Sequence, residues 1–286
     1  MTIDYRATRN ILVTTKGHAY DRERFVDMFD AIAAARPDLC WTHVEQPAIN
    51  VFLKPETACD YAAIVFYDIP GLEIIGPQPP NARLHEPSGQ WKIDFERLLE
   101  AGQPLIFLHH AICGWPAYPR YAEVIGGRYL FVPQEIDGVV HPDSGYVHDA
   151  PHFVYPVAEH PVTRGLEEGF ELVGEPYLYE VFEDTVLPLM RCRYDFTVNG
   201  FYSTHLALQG KMHSREGWTP SPGSDLVVWA RREKNSPIVY IQPGHDALSF
   251  DHPAFRRLLG NAIDWITGAE AREWARGAGA KGSGAG

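Results

Sequence analysis

The sequence predicts an α/β fold, doubly wound around one mainly parallel sheet, with an inserted antiparallel β extension. Three observations predict it. Short β-rich runs alternate with helix-spaced apolar segments as far as Ile125. One run, Pro104 to Leu108, is wholly apolar, as strands buried on both faces of a parallel sheet are. The alternation returns at Ser236 after a long stretch of different texture.

Taken in order, Asn10 to Thr15 is a β-rich run. Asp21 to Ala35 carries Phe25, Met28, Phe29 and Ile32 at helical spacing, with Asp21 placed to cap it. Trp41 to Val44 is a weaker strand. Tyr61 to Tyr67 is a stronger one, closed by the turn signal Asp68-Ile69-Pro70-Gly71. Pro77 to Gly89 reads as loop. Trp91 to Ala101 is a helix with Ile93, Leu98 and Leu99 apolar, stopped by Gly102 before the Leu105 strand. Pro116 to Ile125 is a short helix halted by Gly126-Gly127. From Arg128 to Arg232, prolines, glycines, aromatics and short strand-like runs dominate. These read as β-rich insertions in one domain (1–276), not as a second independent unit. Ser236 to Ile241 is a strand, and His252 to Ile266 an amphipathic helix carrying Phe255, Leu258, Leu259, Ile263 and Trp265. Residues 277–286 are Gly/Ala-rich and read as a disordered tail.

Composition narrows the function. The 286 residues are 45% hydrophobic, ample for a buried core, and 22% charged, with a formal charge of -12. That balance argues against nucleic-acid or anionic-membrane partners, whose footprint is a basic face. No apolar run approaches the ~18 residues of a membrane span. The polar start, MTIDYRATRN, lacks a signal-peptide layout, so a cytoplasmic protein is expected. Cys40, Cys59, Cys113 and Cys192 form no CxxC pair, which argues against disulfide staples and four-cysteine zinc. No GxGxxG follows the first strand and there is no P-loop, so no NAD, FAD or ATP requirement is expected.

Histidine is the unusual count, at 13. Open α/β sheets bind ligands beyond the carboxyl ends of their strands. The first strand runs into Lys16-Gly17-His18, the next central one into Asp68, the third into His109-His110, and the last into Pro243-Gly244-His245. Polar residues end strands for ordinary reasons too, but parallel strand ends bring residues far apart in sequence to one rim.

The ordered set of segments resembles the trehalose-utilisation (ThuA-like) family, a branch of the flavodoxin-like, class I glutamine amidotransferase-like fold. The matching stretches are Ile11 to Tyr20, Asp60 to Asp68, Gly102 to Gly127, His160 to Leu166, Gly174 to Tyr177, and Tyr240 to Trp265. Where the family usually has an acidic residue before the glutamate, this chain has Gly174. The resemblance implies an enzyme acting on a small polyhydroxylated or oxidised sugar-like substrate, by lyase, isomerase or hydrolase chemistry.

Glu175, flanked by Pro176 and Tyr177, is either a turn glutamate or, with partial burial, a base. His109 and Glu175 are the expected acid/base pair. His18, Asp68, His110, Trp115, Tyr177 and His245 are expected around the substrate. His18, His109, Glu175 and His245 also form a chemically suitable set for zinc or another divalent ion, though no spacing motif supports it. Relatives of this fold place a cysteine nucleophile at the turn occupied here by His109 or His110. Cys113 lies beyond it, and reads either as a displaced nucleophile of a hydrolase or amidase or as a buried thiol. His141, His148 and His152 with Asp149 read as a solvated loop or lid. His160-Pro161 reads as structural, and His205 and His213 stay unassigned. The aromatic-rich middle suits a sugar ring or an aromatic substrate, and equally ordinary packing. A non-catalytic binding or assembly module is the remaining alternative. A homodimer is the expected assembly.

Overall fold

A computed structural model describes residues 7–277; the remainder of the expected tail lies outside the described residues. Nine strands form the central sheet: β1 (Arg9–Lys16), β2 (Leu39–Glu45), β3 (Ala63–Asp68), β4 (Leu105–Leu108), β5 (Ala150–Pro156), β6 (Phe170–Gly174), β7 (Leu187–Arg193), β8 (Leu226–Glu233) and β9 (Ser236–Ile241). Their spatial order is β6-β5-β7-β8-β9-β4-β3-β1-β2. The five strands β2, β1, β3, β4 and β9 run parallel. From β9 outward through β8, β7, β5 and β6 every pairing is antiparallel. The middle of the chain therefore extends the same sheet.

The parallel half follows from its apolar runs. Alternate side chains of a strand face opposite sides. Ile11, Val13, Val65, Tyr67, Ile106, Leu108, Val239 and Ile241 enter one core, while Leu12, Ile64, Phe66, Leu105, Phe107, Ile238 and Tyr240 enter the other. Helix α1 (Arg22–Ala34) buries Phe25, Met28, Phe29 and Ile32 in the first core, roughly 2 kcal/mol of gross burial per side chain. Asp21 caps it, accepting from Arg24 N at 3.0 Å. On the other face, α2 (Gly89–Ala101) is capped by Ser88 and ended by Gly102 at φ 81°, and α3 (Pro119–Ile125) joins it. The C-terminal segment forms α4 (Ala247–Asp251), α5 (Pro253–Thr267) and α6 (Ala269–Ala275), all of which reach the first core, α4 through Phe250.

Three local expectations change. The Pro77 to Gly89 loop contains a strand, Ala82–Leu84, paired with Leu72–Ile74. The expected final helix runs unbroken over Pro253–Thr267, but a short helix that was not expected, Ala247–Asp251, precedes it; Pro253, which lacks the N–H to continue that one, starts the next. Ile93, counted as a buried apolar position of α2, is exposed, and Trp91 and Phe95 take that role. Among the described residues, no helix is long and apolar enough to cross a membrane.

The strand order reverses around β1, with β2 on one side and β3 on the other, so the carboxyl ends of β1, β3, β4 and β9 open onto a common rim. The turn after β9 depends on Gly244. Its φ is +124°, and a Cβ there would lie 2.8 Å from Phe255 Cζ. Gly244→Ala is expected to cost about 2 kcal/mol or more, from strain and overpacking together. A thermal melt should show Tm falling by roughly 4–8 °C, and an unchanged Tm would refute this account of the turn.

Candidate functional site

The last residue of β4 leads directly into His109, whose φ of 44° turns the chain sharply into a short 3-10 turn, His109–Cys113. A left-handed conformation at a non-glycine residue is strained by about 1–3 kcal/mol and persists only where the surroundings hold it. Two contacts hold it here. Tyr240 OH donates to the His109 carbonyl at 3.2 Å, and the His109 ring is pinned through Nδ1, 2.5 Å from the Gln242 carbonyl. A carbonyl only accepts, so Nδ1 carries the proton. In neutral His109 the lone pair then lies on Nε2.

Nε2 faces the centre of the site. It lies 3.1 Å from Glu175 Oε2, 3.2 Å from His245 Nδ1 and 2.8 Å from Tyr177 OH. His245 Nδ1 and Glu175 Oε2 are 2.8 Å apart, closing a triangle. Ligands ~2.0–2.1 Å from a tetrahedral ion stand about 3.3 Å apart, close to the three measured sides. His110 completes the group: ligand atoms of His109, His110, Glu175 and His245 all lie within 4.8 Å of one another. The His110 ring is buried, and neither of its nitrogens has a hydrogen-bond partner. A buried imidazole with both nitrogens unsatisfied is costly unless something unseen meets it. These four donors, three imidazoles and a carboxylate, suit zinc or a similar divalent ion. The hydrogen bond from His109 Nδ1 to a backbone carbonyl is the outer support that metal-ligating histidines usually have.

Electrostatics agree with the geometry. Burial alone would raise the Glu175 carboxyl, but its close contacts with the imidazoles of His109, His148 and His245 outweigh that and hold it well below the usual carboxylate range. Burial lowers His109 and, more strongly, His110, whose imidazole neighbours push the same way. Both therefore favour the neutral form. His148 moves oppositely, raised chiefly by its 3.0 Å contact with Glu175 Oε1.

His109, His110, Glu175, Tyr177 and His245 thus meet at one point. His18 does not join the ligand group expected of it. Its ring lies 4.3 Å from that of His110 and 5.7 Å from that of His245, at the exposed rim, with Nδ1 turned 2.6 Å to the Ala19 carbonyl. Asp68 is buried on the opposite face of the sheet, because strand alternation gives Tyr67 the site side. The Tyr67 ring lies 4.8 Å from His110, and its hydroxyl donates to the His245 carbonyl at 3.0 Å. Trp115 likewise packs away from the histidines, 5.3 Å from Trp91 in the second core.

Cys113 is buried, and burial, helped by the Glu175 charge, pushes its thiol well up. The His141, His148, His152 group is dispersed. Only His148 reaches the site; His141 closes a hairpin strand, Val139–His141, and His152 Nδ1 faces the Ala150 carbonyl of its own strand, β5. His160 caps the turn Pro161–Thr163, as a structural residue should. Gly174 leaves little room: a Cβ there would stand a tight 3.3 Å from Ser249 Oγ and 3.6 Å from His152 Cε1. Ser249 Oγ and His152 Nε2 are both buried without a partner.

Sequence reasoning missed four contributors: Tyr67, His148, Tyr240 and Gln242. Gln242 supports the site twice, through its carbonyl to His109 and through Nε2, which donates to the Glu175 carbonyl at 2.6 Å. A polar residue between a wholly apolar strand and Pro243-Gly244-His245 was the available signal for it.

The fold and site together define an α/β protein with a buried histidine–glutamate cluster at the carboxyl ends of its parallel strands. The ThuA family model, described as trehalose utilisation, matches residues 10–266. The chain therefore belongs to the ThuA family. Among solved structures it is similar to a ThuA-like protein from Parabacteroides merdae, at 13% identity and TM-score 0.62, covering 91% of this chain and 90% of that one. It is also similar to a ThuA-like protein from Bacteroides uniformis, at 17% identity and TM-score 0.58, covering 93% and 94%. At such identities the likeness is one of fold. No curated protein matches the chain in sequence.

Burial raises the Asp68 carboxyl to about 7, outweighing a side-chain hydrogen bond from Gln46 Nε2 at 2.7 Å and one from the backbone. With its folded pKa above its unfolded one, stability is fully present below about pH 4 and is lost as pH rises toward 7. The loss is bounded by about 4 kcal/mol. Asp68→Asn should remove this dependence. Its Tm relative to the parent should be higher at pH 8 than at pH 4.5; an equal offset at both values would contradict the burial argument.

Proposed function

We propose that the protein is an enzyme acting on a small sugar-derived substrate by acid/base chemistry, with a divalent cation of the zinc class held by His109, His110, Glu175 and His245. The observation that carries this reading is the buried triangle of His109 Nε2, Glu175 Oε2 and His245 Nδ1, flanked by the partnerless ring of His110. The substrate class rests on the family, whose description is trehalose utilisation.

A cation bound there would polarise a carbonyl or hydroxyl oxygen of the substrate. The chain's own residues supply the rest. Glu175 spans the site, with Oε2 toward His109 and His245 and Oε1 toward His148. His148 is exposed at the mouth and held toward its protonated form by Glu175, which suits a proton donor to a leaving or carbonyl oxygen. Tyr177 OH, 2.9 Å from Glu175 Oε2 and 2.8 Å from His109 Nε2, offers a second proton inside the site. His18 closes the rim above His110. Lyase, isomerase and hydrolase reactions all use these parts. A Cys113 nucleophile is disfavoured, because burial opposes the thiolate such a reaction needs.

Elemental mass spectrometry of purified, untagged protein tests the reading. Near-stoichiometric divalent metal is expected in the parent. His109→Ala and His245→Ala should each lower metal affinity by more than the ~10–100-fold typical of losing an outer-shell partner. Folded parent protein that takes up no divalent metal, even when dialysed against zinc, would overturn it. Cys113→Ala should retain both metal and any sugar turnover; loss of turnover with metal retained would restore the thiol reading.

A further inference from the structure

Four arginines line one groove among the helices that cover the first core. The groove has a volume of about 390 Å³ and lies between the end of α1, the side of α5 and the loop that follows Pro161–Thr163. Arg36, Arg164, Arg256 and Arg257 line it together with Asn261, and no acidic residue does. This is a local excess of positive charge on a chain whose formal charge is -12.

Carboxylates outside the groove compensate that charge only in part. Asp264 accepts from Arg36 Nε at 2.8 Å but also from Arg9 Nη1 at 3.1 Å. Asp251 accepts from Arg256 Nη2 at 2.8 Å and has Arg24 Nε 3.7 Å away. Each of these carboxylates therefore serves two guanidinium groups. Among the described residues, Arg164 and Arg257 have no carboxylate within ion-pair distance. Glu167, on the same loop as Arg164, directs Oε1 to the Gly165 N–H at 2.8 Å instead.

The groove is also built to hold these groups in place. A Cβ at Gly165 would overlap Arg257 Nη1, which donates to the Gly165 carbonyl at 3.2 Å. A Cβ at Gly260 would overlap the Arg36 guanidinium in the same way. Asn261 Nδ2 donates to the carbonyls of Val162 at 3.2 Å and Arg164 at 2.8 Å, which fixes the backbone carrying Arg164 against α5. Two places where side chains would otherwise stand are thus given to guanidinium groups. Like charges gathered in this way repel one another until an anion enters.

We propose that this groove is a binding site for a phosphate group, carried by a small molecule or present as the free ion. Arginine offers its N–H donors as a planar fork that matches two oxygens of a phosphate, and a dianion answers more of the gathered charge than a carboxylate does. The donors needed are free. Nη2 of Arg36, Nε and Nη2 of Arg257 and the whole Arg164 guanidinium have no partner among the described residues. One groove of this size takes one phosphate group and a small substituent, and it is not the extended basic face a nucleic acid requires. None of its residues belongs to the histidine–glutamate cluster, so the site stands apart from the proposed function.

Isothermal titration of the purified protein tests the site, with inorganic phosphate and glycerol 1-phosphate as probes, in about 0.15 M salt so that diffuse surface attraction is screened. At least one probe should bind, and the double variant Arg164→Gln, Arg257→Gln should weaken that binding about tenfold or more. His109→Ala should leave the arginine-dependent binding unchanged. A saturating probe should also raise the Tm of the parent and not that of the double variant, whose melt without probe establishes that it is folded. Tighter binding of glycerol 1-phosphate than of inorganic phosphate would identify a substituted phosphate as the ligand; equal or weaker binding would identify the free ion, and either result upholds the site. No binding of either probe at this salt concentration, or binding unchanged in the double variant, would overturn it. Binding lost in His109→Ala would also overturn it, since the anion would then sit on the cluster.

Discussion

The hydrogen bond from His109 Nδ1 to the Gln242 carbonyl is the constraint on which the rest of the site depends. It ties the end of β4 to the end of β9 and fixes which nitrogen of the ring carries the proton. With Nδ1 committed, the inward nitrogen is an acceptor, and the cluster around it becomes a set of lone pairs instead of a hydrogen-bonded chain of histidines. The Gln242 side chain then holds the backbone of Glu175, so one residue sets two of the four members of the cluster. Its own backbone N–H is bound to Val227 O at 2.8 Å, which anchors the arrangement in β8 and the middle of the sheet.

Much of the fold was legible because the parallel strands are buried on both faces and so read as continuous apolar runs; Ser236–Ile241 matches residue for residue, and the Pro104 run differs from its strand by one residue. Strand ends then placed His109 and His245 at one rim, and Glu175 came from the resemblance. What the pattern did not contain was parity. Whether Tyr67 or Asp68 faces the site depends on which side of β3 the last residue falls, and a single step exchanges them. His148 was hidden for another reason. It sits in a loop of no periodicity and reaches Glu175 only because Gly145–Tyr146 pairs between two strands from elsewhere in the chain. Helix α6, Ala269–Ala275, was also passed over, since it is short and follows Gly268 directly.

The site is assembled against the grain of stability. It buries an ionised carboxylate and two neutral imidazoles, and it holds one residue in left-handed backbone. Each of these is unfavourable alone. The surrounding sheet offsets them with wholly buried strands on either side, and the concentration of cost at one rim is what a functional site looks like energetically.

The spacing of the cluster along the chain has a consequence for how the protein is made. His109 lies 66 residues from Glu175 and 136 from His245. No two of these partners belong to one local motif, so a chain emerging from the ribosome holds scattered donors until its last strand inserts between β4 and β8. The proposed cation, if seated there, would bind the finished sheet and not its precursors, and its binding energy would favour the folded state. The cluster therefore exists only in completed molecules, and a truncated or misassembled chain has no trace of it.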